Sequence, residues 1–84
     1  MRIAIVDDIH SERVLLHTRL EEQLTKRGVH ADLTEFENGE AFLKASRERP
    51  FTVLFLDIYM NGANGVEIAR ELRKSDPDCL LIFT

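Results

Sequence analysis

Asp7 and Asp8 close a short apolar run, Ile3-Ala4-Ile5-Val6, and Asp57 closes a second, Val53-Leu54-Phe55-Leu56. Short apolar runs bounded by polar residues are the pattern of buried strands. If the two runs lie side by side in a parallel sheet, three carboxylates converge at the carboxyl edge, where open α/β sheets bind ligands. Three unpaired anions held that close repel by roughly a kcal/mol or more per pair, even near a surface. The cluster is therefore a site for a hard divalent cation, and Mg²⁺ is the expected ion.

The elements that must position these acids alternate strand, helix, strand, helix, strand, helix, strand. That order argues for a parallel sheet with helices on its faces. Arg2 to Val6 is the first strand. A helix follows from His10 or Ser11 and ends at Gly28, a residue suited to the left-handed conformation after a helix C-terminus. Leu16, Leu20 and Leu24, with Val14 beside them, form the stripe expected to face the sheet, while Glu12, Arg19, Glu22 and Lys26 face water.

Val29 to Phe36 alternates as an edge strand solvated on one face should, with Val29, Ala31 and Leu33 against His30, Asp32 and Thr34. Asn38-Gly39 then turns the chain into a helix from Glu40 to about Arg47, with Ala41, Phe42 and Ala45 inward; Pro50 blocks its continuation. Phe51 to Leu56 is apolar enough for a central strand covered on both faces. A loop rich in Asn and Gly, Asn61 to Gly65, leads into a helix carrying Val66, Ile68, Ala69 and Leu72. Lys74 to Pro77 ends that helix, and Cys79 to Phe83 reads as another buried strand, followed by Thr84.

The chain has 84 residues, 44% hydrophobic and 31% charged, the profile of one globular domain. Fifteen acids against eleven bases give a net charge of −4, with no basic stripe to neutralise phosphates, so no nucleic-acid binding is expected. No apolar stretch approaches the length of a membrane span or a signal-peptide core, and the reading is a cytoplasmic protein. Cys79, the single cysteine, has no partner at metal-ligand spacing and reads as a small buried hydrophobe.

The acidic pair after the first strand, Leu56-Asp57 after the third, the Met-x-Gly-x-x-Gly loop at Met60 to Gly65 and Thr84 after the fourth together resemble the phosphoacceptor receiver domain of two-component response regulators. The stretch from Asp57 to Glu67 is similar in particular to receivers that precede LytTR-type DNA-binding domains. The resemblance covers the whole chain and implies a flavodoxin-like parallel sheet of strand order 2-1-3-4.

It implies that Asp57 accepts a phosphoryl group from a histidine kinase. Asp8 and Asp57 would ligate Mg²⁺, Asp7 would act through a bound water, and the backbone carbonyl of Tyr59 would complete the protein ligands. Thr84 would place its hydroxyl on a phosphoryl oxygen and so report the state of the switch to an output domain, such as a DNA-binding transcription regulator.

The sequence departs from the family pattern in carrying Asn61 where proline is common and Asn64 where aspartate is common. A complete receiver also has a fifth strand, opened by a lysine that pairs with the phosphoryl group, and two further helices. No lysine follows Lys74. Residues 1–84 therefore read as the N-terminal part of a receiver, truncated after the fourth strand.

Other readings stand beside this one. The acids could be loop residues capping helices. His10 could line the site or simply start a helix, and His17 and His30 read as solvated. Met60 reads as packed beneath the loop, and the Tyr59 ring as lying at the surface. A phosphohydrolase of the haloacid dehalogenase kind would want a second acid two residues after the nucleophile, where Tyr59 stands, so no enzyme is expected. A nucleotide-binding domain would want a glycine-rich loop where Asp7-Asp8-Ile9-His10 stands. A receiver-like docking or dimerisation module that is never phosphorylated is the remaining alternative.

An uncovered last strand is a template for pairing. Self-association by swapping or edge pairing through Leu80 to Phe83 is the expected outcome, and sedimentation as a monomer at high concentration contradicts it.

Overall fold

The structure, a computed structural model, describes residues 1–60 and 64–84. The loop reading at Asn61, Gly62 and Ala63 lies outside the described residues. Four strands and three helices alternate as β1 (Arg2–Val6), α1 (His10–Lys26), β2 (Asp32–Phe36), α2 (Gly39–Glu48), β3 (Val53–Leu56), α3 (Gly65–Ser75) and β4 (Leu80–Phe83). All strand pairs are parallel, in the order β2-β1-β3-β4. This is the flavodoxin-like order expected from the resemblance, with β2 at one edge.

Register places Ala4, Thr34, Leu54 and Leu81 in one row and Val6, Phe36, Leu56 and Phe83 in the next but one. Ala4, Val6, Leu54 and Leu56 are fully or almost fully buried and pack with Phe42 and Leu43 of α2 and Ile68 and Leu72 of α3. Phe36, Phe42 and Phe51 add a three-ring cluster with centroids 5.6 to 5.8 Å apart, two of its contacts edge-to-face. Ile3 and Ile5 point to the opposite face of the sheet, beneath α1, and are also buried.

The helix boundaries have local causes. α1 ends in a Schellman arrangement: Gly28 takes φ +68°, its amide donates to the Thr25 carbonyl at 3.1 Å, and the Val29 amide donates to Leu24 at 2.9 Å. The side chains of Asn38 and Asn64 cap α2 and α3, accepting from the amides of Ala41 and Val66 at 2.8 Å each. The first residue of α2 is a glycine because the chain passes so close to Ile68 of α3 that a Cβ would collide with that side chain.

Several expectations need correction. Val14 is exposed, and Leu16, Leu20 and Leu24 are only half-buried, so the leucine stripe is thinner than its spacing suggests. β2 begins at Asp32 and not at Val29, and Leu33, Thr34, Glu35 and Phe36 are all half-buried, because both faces of this edge strand meet a helix layer. Ala41 is exposed and Leu43 takes the inward place on α2. Phe51 is buried but precedes β3, and Val53 and Phe55 are only half-buried, so among the described residues β3 is fully covered on one face alone. Cys79 is buried, one residue before β4, and burial pushes its thiol pKa up.

Phe42 is wholly buried at the junction of α2 with the sheet. Phe42→Ala is expected to cost about 3–5 kcal/mol, a large part of the stability of so small a domain, read as a lowered urea midpoint with little change in slope.

Candidate metal centre

In a parallel sheet, residues that follow paired strand ends continue the row. Val6, Leu56 and Phe83 are paired, so Asp7, Asp57 and Thr84 come next. The ladder extends through each of them: Asp7 donates to the Phe36 carbonyl at 3.1 Å, Asp57 to Val6 at 3.0 Å and Thr84 to Leu56 at 2.9 Å. Backbone pairing alone thus lines up two of the acids and the threonine at the carboxyl rim.

Asp8 joins them from the β1–α1 turn: one oxygen from each of Asp7, Asp8 and Asp57 lies within 4.8 Å of the others. Asp7 is buried and the other two are half-buried. An all-carboxylate, partly open set of this kind suits a hard cation that keeps several waters. The three acids expected from the sequence thus meet at this rim, with the Thr84 backbone in the same row, while the Tyr59 ring is 83% exposed.

The surrounding hydrogen bonds orient the acids. Asp7 Oδ1 accepts from the Ile9 amide at 2.9 Å, and Asp57 Oδ1 accepts from the Tyr59 amide at 3.1 Å. Burial raises the Asp7 pKa above its ordinary 3.8; the Ile9 amide and Arg13 oppose that, and the charges of Asp57 and Asp8 add to it. Gly65 opens α3 hard against the Asp57 backbone: a Cβ there would lie 2.5 Å from the Asp57 carbonyl oxygen and 2.8 Å from Ile58 Cα. Met60 packs partly buried against the core.

The family profile of the response regulator receiver domain matches residues 3–84. The chain belongs to the response regulator receiver family. It is 35% identical to the response regulator receiver protein CpdR of Brucella abortus over 82 residues, 98% of this chain and 63% of that protein. It is 44% identical to the sensory transduction protein LytT of Oceanobacillus iheyensis over 50 residues, 57% of this chain and 20% of that one. The receiver fold is shared with the response regulator TrrA of Thermotoga maritima, solved in complex with Mg²⁺ and a beryllium fluoride, at TM-score 0.84 and 35% identity over 98% of this chain and 66% of that one. TrrA has also been solved with the histidine kinase ThkA. The chain spans less than two-thirds of the length of each of these relatives.

The receiver's sequence concealed one group next to the site. Arg13, on the first turns of α1, is buried and sends Nη1 to the Asp7 carbonyl at 2.8 Å, Nε to Glu35 Oε1 at 3.0 Å and Nη2 to His10 Nδ1 at 3.0 Å. His17, read above as solvated, is instead half-buried and holds Glu35 Oε2 at 2.7 Å. The available signal was Glu35 itself, an acid on the inward phase of the Leu33 alternation opposite an arginine and a histidine four apart on one helix face. His10 is exposed and touches the arginine, and His30 is exposed. Among the described residues, no helix is long and apolar enough to cross a membrane.

Two outcomes follow from this geometry. Because its folded pKa is raised, ionising Asp7 costs stability progressively as pH climbs from 3.8 through the raised value, and nothing is lost below 3.8. Metal-free Asp7→Asn, which keeps an acceptor for Ile9, should melt higher than the parent at pH 7 and equal to it near pH 3, by about 4–8 °C per kcal/mol relieved. Gly65→Ala drives a methyl into backbone that cannot yield, and should lower stability by about 1–3 kcal/mol while shifting the amide resonances of Asp57 and Ile58.

Proposed function

We propose that the chain is a phosphorylation-dependent signalling switch, the N-terminal part of a cytoplasmic receiver, in which Asp57 takes a phosphoryl group from a sensor histidine kinase. The convergence of Asp7, Asp8 and Asp57 at the carboxyl rim is the observation that carries this reading. Asp8 and Asp57, with Asp7 through water and the Tyr59 carbonyl, would hold Mg²⁺. When bound, the ion neutralises charge between carboxylate and phosphate, and so makes Asp57 a competent acceptor.

The remaining work belongs to the protein's own groups. The Tyr59 amide fixes one oxygen of Asp57, leaving the other to attack phosphorus; a phosphorus–oxygen bond forms as the bond from phosphorus to the kinase histidine nitrogen breaks, and that nitrogen leaves with the electron pair. The product is an acyl phosphate carrying about −1.5 to −2 charge, which attracts donors. Thr84, in the row beside Asp57, supplies the hydroxyl that reads it. Its position at the end of β4 would pass the change to an output domain, for which the resemblance to receivers that precede LytTR-type DNA-binding domains suggests transcription control. The chain acts as a substrate of the kinase and not as an enzyme. The exposure of Leu80, Ile82 and Phe83 on edge strand β4 supports self-association through that strand.

The test is intact mass after incubation of the full-length protein with Mg²⁺ and a small phosphoryl donor. One phosphoryl adduct is expected, lost in Asp57→Asn and on chelation of the metal. No adduct would replace the switch with a docking module.

A further inference from the structure

The Asp7 peptide is tied at both ends to consecutive residues of β2. Its amide donates directly to the Phe36 carbonyl at 3.1 Å, and its carbonyl receives Arg13 Nη1 at 2.8 Å, while Nε of the same guanidinium lies 3.0 Å from Glu35 Oε1. Glu35 has little freedom to move, since β2 is in register with β1 at Ile5↔Glu35 and its second oxygen is held by His17 at 2.7 Å. Arg13 is 9% exposed, so both contacts form where water competes poorly.

This closed path runs through Asp7, and the bond from Arg13 to the Asp7 carbonyl also spans the segment that carries Asp8. A charge-assisted fork of this kind sets direction as well as distance, which a lysine on the same stem cannot do. A bare positive charge near the acids would only weaken cation binding, and Glu35 compensates that charge.

We infer that Arg13, locked by Glu35, is a positioning residue that sets the divalent-ion affinity and the Mg²⁺ preference of the acidic trio. The inference rests on the metal-centre reading above. Mg²⁺ demands near-ideal octahedral geometry, whereas Ca²⁺ tolerates irregular ligand sets, so a loosened turn should penalise the smaller ion more.

The test is calorimetric titration of Mg²⁺ and, separately, Ca²⁺ into the protein and into Arg13→Lys, Arg13→Met and Glu35→Gln, with metal-free circular dichroism confirming the fold of each. Arg13→Lys should weaken Mg²⁺ binding about tenfold or more, as loss of an orienting partner does, and weaken Ca²⁺ binding by a clearly smaller factor. Arg13→Met should weaken Mg²⁺ as well. Glu35→Gln, which keeps the shape of β2, should move Mg²⁺ the same way by a smaller factor and decides the matter if the Arg13 variants fail to fold.

Unchanged Mg²⁺ affinity in Arg13→Lys or Glu35→Gln, equal losses for both ions, or tighter binding in Arg13→Met would overturn the positioning role. Failure of the unsubstituted protein to bind Mg²⁺, or binding unaffected by Asp57→Asn, would instead overturn the acidic trio as a metal centre.

Discussion

Three carboxylates within 4.8 Å of one another repel, and the chain that carries them must be anchored by something other than those side chains. The parallel ladder supplies that anchor. It continues past the apolar part of each strand, so the amides of Asp7 and Asp57 are bound to the neighbouring strands at the point where the charges crowd. The stability of the apolar core is what keeps that ladder in register. Burial at this point raises the pKa of Asp7, and the charges of Asp57 and Asp8 add to that rise.

The same arrangement explains why the residues around the rim are small, polar or capped. Gly65 lets α3 begin directly behind the Asp57 backbone, and Asn64 satisfies an amide of that helix's first turn. On the other side, α1 begins without a side-chain cap, at Ile9, and its first turn is instead secured by Arg13, whose guanidinium reaches back to the Asp7 carbonyl. Each acid-bearing turn is thus fixed from its own helix.

The two faces of the sheet are unequal. Phe42, Leu54, Leu56 and Leu72 form a dense layer on the face of α2 and α3, and Val53, Phe55 and Ile82 on the other face keep part of their surface in water. Local alternation could not reveal this, because Val53-Leu54-Phe55-Leu56 is apolar throughout and periodicity carries no information in a uniform run. The leucines of α1 had the opposite defect: their spacing was regular, yet their burial depends on how much sheet lies beneath the helix.

Residue order alone determined the element sequence, the strand pairing class and the four motifs that identify a receiver. Those follow from short-range patterning and from residues whose chemistry is specific, such as an acid placed at the end of an apolar run. Strand register, the proximity of Asp8 to Asp57 and the ties from Arg13 through Glu35 to His17 were decided only in three dimensions. The reason is physical: a buried charge is stable only beside its partners, and these partners come from α1 and β2, elements that only folding brings together.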